Sequence, residues 1–175
     1  RHMPPFHRSA RRRSAIRVVT QTMQDMPLRQ ATADDAAAIR TLTRAAYAKW
    51  VSLIGREPRP MTADYDKAVH DHRFDLLEID GKLAALIETV IQADHLVIEN
   101  IAVDPSYQGH GIGRRLIAHA EQFAASSGLA EVRLYTNQRF AENIRLYIKL
   151  GYRINREEMI GDGIAVHMNK HLLST

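Results

Sequence analysis

The chain has no cysteine among its 175 residues. That absence excludes disulfides, thiolate zinc sites, iron–sulfur clusters and any cysteine nucleophile at once. It also fits a reducing compartment, so the expected location is cytoplasmic. No run approaches the ~18 consecutive apolar residues of a membrane-spanning helix, and no membrane role is expected. Aromatic residues are few, at 6%, and form no aromatic–basic stripe of the kind that reads nucleic acid. With 45% apolar and 25% charged residues, the composition is that of an ordinary globular protein with room for one domain and a tail.

Charge is unevenly spread. The formal net charge is +4, yet residues 1–24 carry six arginines and no acid, leaving 18 basic against 20 acidic side chains in the remainder. The basic character therefore belongs to the leader, and the domain itself is slightly acidic. A basic arm can contact nucleic acid or a membrane surface, or serve as a presequence. The plainer expectation is a disordered leader over residues 1–25, with Arg1-His2-Met3 a cloning remnant and Met23 or Met26 the natural start. A single domain then covers 26–175. Nucleic acid is disfavoured as a partner, and a homodimer is left open.

The order of elements reads as α/β. Thr32 stands as an N-cap before Asp34 and Asp35, and Ile39, Leu42, Ala46 and Trp50 recur at helical spacing, which predicts a helix over 33–52. Arg56-Glu57-Pro58-Arg59-Pro60 reads as non-helical because of its prolines, and Thr62 as the cap of a short helix ending near His72. Asp80-Gly81 is a two-residue hairpin turn between strands over 74–79 and 82–93. A third strand is expected over 95–103, then a helix over 111–127, a strand over 131–136, a helix over 140–150 and two closing strands. This arrangement implies a mixed, mostly antiparallel central sheet flanked by helices.

The most informative segment is Gln108-Gly109-His110-Gly111-Ile112-Gly113-Arg114, between a strand and a helix. Glycines there let backbone amides approach an anion, and the start of a helix presents unpaired N–H groups at the positive end of its dipole. A Walker loop would need Lys and then Ser or Thr after its last glycine, whereas Gly113 is followed by Arg114. A dinucleotide fingerprint needs glycines at the first, third and sixth places, and here they fall at the first, third and fifth. What remains is Gln-x-x-Gly-x-Gly, matched by Gln108, Gly111 and Gly113. The histidines at 95, 110 and 119 show no metal-ligand spacing, so no metal is expected.

With Glu99-Asn100-Ile101-Ala102-Val103-Asp104-Pro105 before that loop, Leu134-Tyr135-Thr136-Asn137 after its helix, and Asn143 to Tyr147 followed by Gly151-Tyr152, the chain resembles the GNAT superfamily of acyl-CoA-dependent N-acetyltransferases. The resemblance is strongest over 96–153, and the order of elements extends it to about 26–171. It implies acetyl-CoA as co-substrate and a small-molecule or peptide amine as acceptor. The backbone of Ile101, Ala102 and Val103 would pair with the pantetheine arm as a missing strand. The loop from Gln108 to Gly113, with Arg114, would hold the pyrophosphate, and Arg115 is either a further phosphate contact or a solvated helix residue. Where many relatives have an asparagine seven residues before the tyrosine, this chain has Phe140. Asn143, four residues before Tyr147 on one helical face, is favoured over Asn137 as the cofactor contact.

Tyr147 is the expected general acid toward the departing thiolate. Glu99 is the expected general base. Strand alternation places it with Val97, Ile101 and Val103, an apolar face on which a carboxylate accepts a proton more readily than in water. Glu88 on the neighbouring strand is the second choice. Without a cysteine no acyl-thioenzyme can form, so the resemblance implies direct attack by the amine in a ternary complex. The alternative is a non-catalytic acyl-CoA-binding module of the same fold. The acceptor cleft is expected between segments 47–62 and 154–163, where Tyr47, Trp50, Arg56 and Arg59 would suit an acidic or aromatic amine.

Overall fold

A computed structural model of the chain describes residues 23–173. The leader from 1 to 22 lies outside the described residues. Seven strands form one sheet in the order β1-β2-β3-β4-β5-β7-β6. They are β1 (Arg29–Gln30), β2 (Arg73–Ile79), β3 (Lys82–Ile91), β4 (Leu96–Val103), β5 (Glu131–Asn137), β6 (Arg153–Ile160) and β7 (Gly163–His171). Every neighbouring pair is antiparallel except β4 and β5. The helices are α1 (Ala36–Ile54), α2 (Arg59–Thr62), α3 (Tyr65–Asp71), α4 (Ile112–Ser126) and α5 (Ala141–Lys149).

The sheet carries helices on both faces. Leu86 of β3 joins Ile39 and Leu42 of α1, Tyr65 of α3 and Phe74 of β2 in one core. Ala85 and Ile87, pointing the other way, join Leu116, Ile117 and Ala120 of α4 and Val132 and Leu134 of β5 in the second core. Burial from both sides is why β3 reads as a nearly continuous apolar run. The β2–β3 hairpin turns where the sequence predicts, with Asp80 and Gly81 at φ +52° and +75°, the paired left-handed conformation of a type I′ turn.

Three local expectations are corrected. The first turn after Thr32 is a 3₁₀ turn (Ala33–Asp35), and α1 follows it. The Pro58–Pro60 segment is not wholly extended, because α2 begins inside it with proline in its first turn. A proline there lacks only an N–H that would have no helical partner in any case. The cap of α3 is Asp64, which accepts from the Lys67 amide at 3.1 Å, in place of Thr62. At the front of the domain, Met23 is buried in the α4 core, three residues inside the stretch read as leader. Arg115 donates to the carbonyls of Met23, at 2.7 Å, and of Met26. It therefore ties this entry segment to α4, as neither a phosphate contact nor a solvated side chain.

The decisive irregularity lies in β4. Glu88 of β3 pairs with Asn100, and the next residue, Thr89, pairs with Ile98, so Glu99 is the extra residue of a β-bulge. The bulge exchanges the two faces of the strand. Before it Leu96 and Ile98 pack into the α4 core; after it Ile101 and Val103 do so, while Ala102 packs toward α1. Simple alternation, which placed Glu99 on one face with Val97, Ile101 and Val103, fails here for that reason.

Candidate active site

The parallel pairing of β4 with β5 covers only Leu96–Ile98 against Val132–Leu134. Beyond Ile98 the two strands separate. Residues 101–103 keep β3 on one side, with Ile101 opposite Ile87 and Val103 opposite Ala85, and among the described residues have no strand on the other. The Tyr47 hydroxyl donates to the Ile101 carbonyl at 3.3 Å, and the Gln108 amide to the Val103 carbonyl at 3.0 Å. Side chains thus cap two carbonyls of the open edge, where a bare edge would cost free energy.

Against this edge lies a cleft of about 360 Å³, walled by Ile101, Val103, the loop from Gln108 to Gly113, Arg114 and, from α5, Asn143 and Tyr147. Gly111, at φ +81°, is the residue immediately before α4. Its left-handed conformation turns the chain so that the amides opening α4 begin at the floor of the cleft. Lys49, whose ammonium lies 3.3 Å from Gln108 Oε1, and Arg114 add positive charge to its rim. Of the residues singled out for cofactor binding, Ile101, Val103, Gln108, Gly109, Gly111, Ile112, Gly113, Arg114 and Asn143 line this cleft. Two do not. Ala102 is buried toward α1, and the His110 ring turns back on its own loop, with Nδ1 3.1 Å from the Tyr107 carbonyl and 3.0 Å from that of Gln108.

A second cleft of about 170 Å³ adjoins the first, and Tyr47, Ile101, Asn143 and Tyr147 line both. It is bounded by the segment from Ile54 to Pro60, by β5 and by the β6–β7 turn, and it contains Glu99. The segments 47–62 and 154–163 do therefore enclose it, although Trp50 belongs to the first cleft. Asn137 lines only this second cleft, and its Oδ1 accepts from the Arg139 amide at 2.9 Å. Phe140 is buried at the start of α5 and stacks on Trp50 with ring centroids 4.4 Å apart, which fixes α5 against α1.

Electrostatics at the junction follow from burial. The Tyr147 hydroxyl is pushed up to about 12 by loss of solvent. Tyr47 is also raised, again chiefly by burial, with Tyr147 and Tyr65 adding to it. Both phenols stay protonated through the neutral range and can donate. Glu88, buried on β3, is raised by desolvation, against which the His72 hydrogen bond at 2.6 Å acts in the opposite direction. Glu88 lies outside both clefts and opens onto a third depression beside α3, which Glu99 also borders.

Several residues escape the sequence reading. Tyr47 as a cap of the open edge, Tyr135 on β5, and the buried link from Asn100 Nδ2 to Thr43 Oγ1 and Tyr65 Oη, each 3.2 Å, depend on long-range contacts. No local pattern marks them. Among the described residues no helix is long and apolar enough to cross a membrane, and no cluster of three metal-ligating side chains occurs.

An open β4–β5 seam with a glycine loop at its mouth is the architecture of an acyl-CoA-dependent N-acyltransferase. The chain matches the Acetyltransferase (GNAT) family over residues 37–152, and it belongs to that family. It is 38% identical over 73 residues to the ribosomal protein bS18-alanine N-acetyltransferase of Escherichia coli, covering 42% of this chain and 49% of that protein. It is 30% identical over 154 residues to the mycothiol acetyltransferase of Thermomonospora curvata, covering 78% of this chain and 52% of that one. The chain thus spans about half the length of these curated relatives. Among solved structures, the PaiA N-acetyltransferase of Thermoplasma acidophilum in complex with coenzyme A superposes with a TM-score of 0.72 at 20% identity, over 84% of this chain and 99% of that one. The Escherichia coli ribosomal-protein-S18-alanine N-acetyltransferase gives 0.66 at 23% identity, over 85% and 94%.

Proposed function

We propose that this chain is an N-acetyltransferase that moves acetyl from acetyl-CoA directly to a primary amine. The observation that carries the reading is the meeting of two clefts at the opened seam. One has an unpaired strand edge and a helix N-terminus, and the other holds a carboxylate. The residues of the first cleft fit the co-substrate. The amides of Ile101 and Val103 offer donors to an extended amide-bearing arm, and the amides opening α4, with Lys49 and Arg114, suit a pyrophosphate. Acetyl-CoA supplies an acetyl thioester with a thiol leaving group. Glu99 takes a proton from the acceptor ammonium, directly or through water. The amine nitrogen then bonds to the thioester carbonyl carbon, an amide of the open edge steadies the negative charge that develops on oxygen, and the carbon–sulfur bond breaks. Tyr147 donates to the departing sulfur, so coenzyme A leaves as a thiol. The second proton, shed by the former amine nitrogen as it becomes an amide, returns to the Tyr147 phenolate directly or through water, and the proton on Glu99 passes to solvent. Asn143, one turn before Tyr147, faces the same junction.

The lack of cysteine and of a long apolar helix among the described residues supports placing this activity in the cytoplasm. Two measurements test the function. Acetyl-CoA at ~100 times its dissociation constant should stabilise the fold by about 2.7 kcal/mol, and thiol release should depend on an added amine. Stabilisation without thiol release from any amine would instead support an acyl-CoA-binding module. No stabilisation by CoA or its acyl esters would remove both.

A further inference from the structure

Among the described residues the second cleft carries three charged side chains, Glu99, Arg56 and Arg59, and its walls are otherwise mainly apolar, with Ile54, Phe140 and Ile160 among them. The backbone that carries Arg59 is held in place by its neighbours, while Arg59 itself is exposed. Pro58 and Pro60 restrict the backbone on either side, the Pro60 carbonyl accepts from the Tyr65 hydroxyl at 2.6 Å, and the next carbonyl, that of Met61, accepts from Arg44 at 3.0 Å. Its guanidinium donates to the Tyr135 hydroxyl at 3.4 Å and, among the described residues, meets no carboxylate within ion-pair distance. Glu99 likewise forms no ion pair among the described residues, although both groups line the same cleft. Tyr135 lines the same cleft and responds to both charges. Its hydroxyl is raised first by burial and then by the Glu99 charge, and Arg59 acts on it in the opposite direction.

Two unlike charges facing one small cleft without pairing form a template for a ligand with the reverse polarity. Building on the acetyltransferase reading, we propose that the acceptor is a free amino acid with an apolar side chain, its ammonium at Glu99, its carboxylate on Arg59 and its side chain against Ile54, Phe140 and Ile160. Arg56, 3.5 Å from the exposed Asp162 carboxylate, supplies further positive charge on the same cleft. Glu99 and Tyr147 then handle the protons at the amine and the sulfur. The new bond joins acetyl carbon to the α-nitrogen, and the products are the N-acetyl amino acid and coenzyme A. Recognition of a carboxylate by a guanidinium is a charge-assisted hydrogen bond with directional geometry, so it separates an amino acid from a simple amine more sharply than apolar contact does.

The test compares thiol release from acetyl-CoA with leucine, leucinamide, 3-methylbutylamine and the dipeptide Leu-Gly, beside the same comparison for phenylalanine and valine. The expected kcat/KM for the best free amino acid exceeds that of its amide and its decarboxylated amine by about tenfold or more. That ratio should collapse toward one in Arg59→Gln and be partly kept in Arg59→Lys. A ratio near one in the wild type, a ratio unchanged in Arg59→Gln, or a dipeptide as good as the free amino acid overturns the proposal. Transfer to simple amines without this preference leaves the acetyltransferase reading intact, and thiol release from no amine at all overturns both.

Discussion

Replacing Gly111 with valine tests whether the loop before α4 is a binding device or only a turn. Gly111 sits at φ +81°, and a Cβ there would lie 3.3 Å from Gln24 Nε2, the end of a flexible side chain that can move aside. Space is therefore a minor obstacle, and the backbone is the major one. A non-glycine residue held in the left-handed region costs about 1–3 kcal/mol, toward the upper end for a β-branched side chain. That cost must appear somewhere. If the loop keeps its shape in the free protein, the fold is weakened by that amount, which for a chain of this size lowers Tm by ~2–4 °C per kcal/mol. If the loop relaxes, the fold is spared and the amides opening α4 rotate away from the cleft. A ligand then has to restore the strained conformation on binding, and its Kd rises by roughly 5- to 150-fold.

An exposed loop at the mouth of a cleft can relax, so the second outcome is expected. Gly111→Val should melt within a few degrees of the wild type, by ~2–4 °C for each kcal/mol retained as strain, yet bind coenzyme A at least about tenfold more weakly. Calorimetric titration with coenzyme A and thermal melting of the free protein measure the two quantities separately. A variant that loses the full stability and binds coenzyme A as tightly as the wild type would show that the loop keeps its shape without holding the ligand, and the pyrophosphate assignment would fall.

Tyr147→Phe should keep its affinity for coenzyme A and slow transfer by ~10²–10⁴-fold, the usual loss when a positioned acid is removed; single-turnover rates beside Kd would check it, and unchanged turnover would leave the backbone of the open edge as the main source of catalysis. Glu99→Gln should lower the rate most at low pH, where the acceptor is most fully an ammonium, and an unaltered pH–rate profile would pass the base role to Glu88 or to solvent. Asp35→Asn tests the front of the domain: Arg29 holds this carboxyl down at about 2, so its contribution is present above the ordinary carboxylate range and is lost as pH falls through about 2. Because Arg29 is 44% exposed, the loss at pH 7 should be about 1 kcal/mol rather than the full linkage value, and denaturant melts of the two proteins should converge near pH 2; a difference that persists there would refute the ion-pair account.

Much of this molecule is legible along the chain because its signals are local. Asp80-Gly81 encodes its own turn, the glycines from 109 to 113 encode theirs, and the period of α4 is written in Leu116, Ala120 and Ala124. What is not legible is whatever depends on a partner far away in sequence. The bulge at Glu99 arises from its register against Glu88 and Thr89, and Glu-Asn-Ile-Ala-Val reads as plain alternation without β3 beside it. Tyr47 is marked only as a residue near the acceptor cleft, and Tyr135 only as one residue of a strand motif, until Ile101 and Arg59 come within reach. Arg115, beside the loop, reads equally as a phosphate contact or a solvated helix residue, and only the fold shows that it is occupied by the Met23 and Met26 carbonyls. The turn of α2 was hidden for a different reason, since prolines forbid a helix interior and permit a helix start.

The bulge links the fold to the proposed chemistry. Parallel pairing of β4 with β5 ends at Ile98 opposite Leu134, and the inserted residue is the next one, Glu99. A bulge increases the local twist of its strand, so a divergence of β4 from β5 that begins at this point has a direct geometric cause. The same insertion turns Ile101 and Val103 to the α4 side and Asn100 inward, where it bonds to Thr43 and Tyr65 and so braces the strand just past the opening. Glu99 is left at the apex of the seam, lining the cleft that Tyr147 also lines. An uninterrupted strand could supply a glutamate or an opening at this position, but alternation would carry Ile101 and Val103 to the wrong face for the loop at 108–113. One extra residue therefore sets the open edge, the placement of the carboxylate and the meeting of the two clefts together. That coupling is why the site depends on the register of β4 against β3 at least as much as on any single side chain.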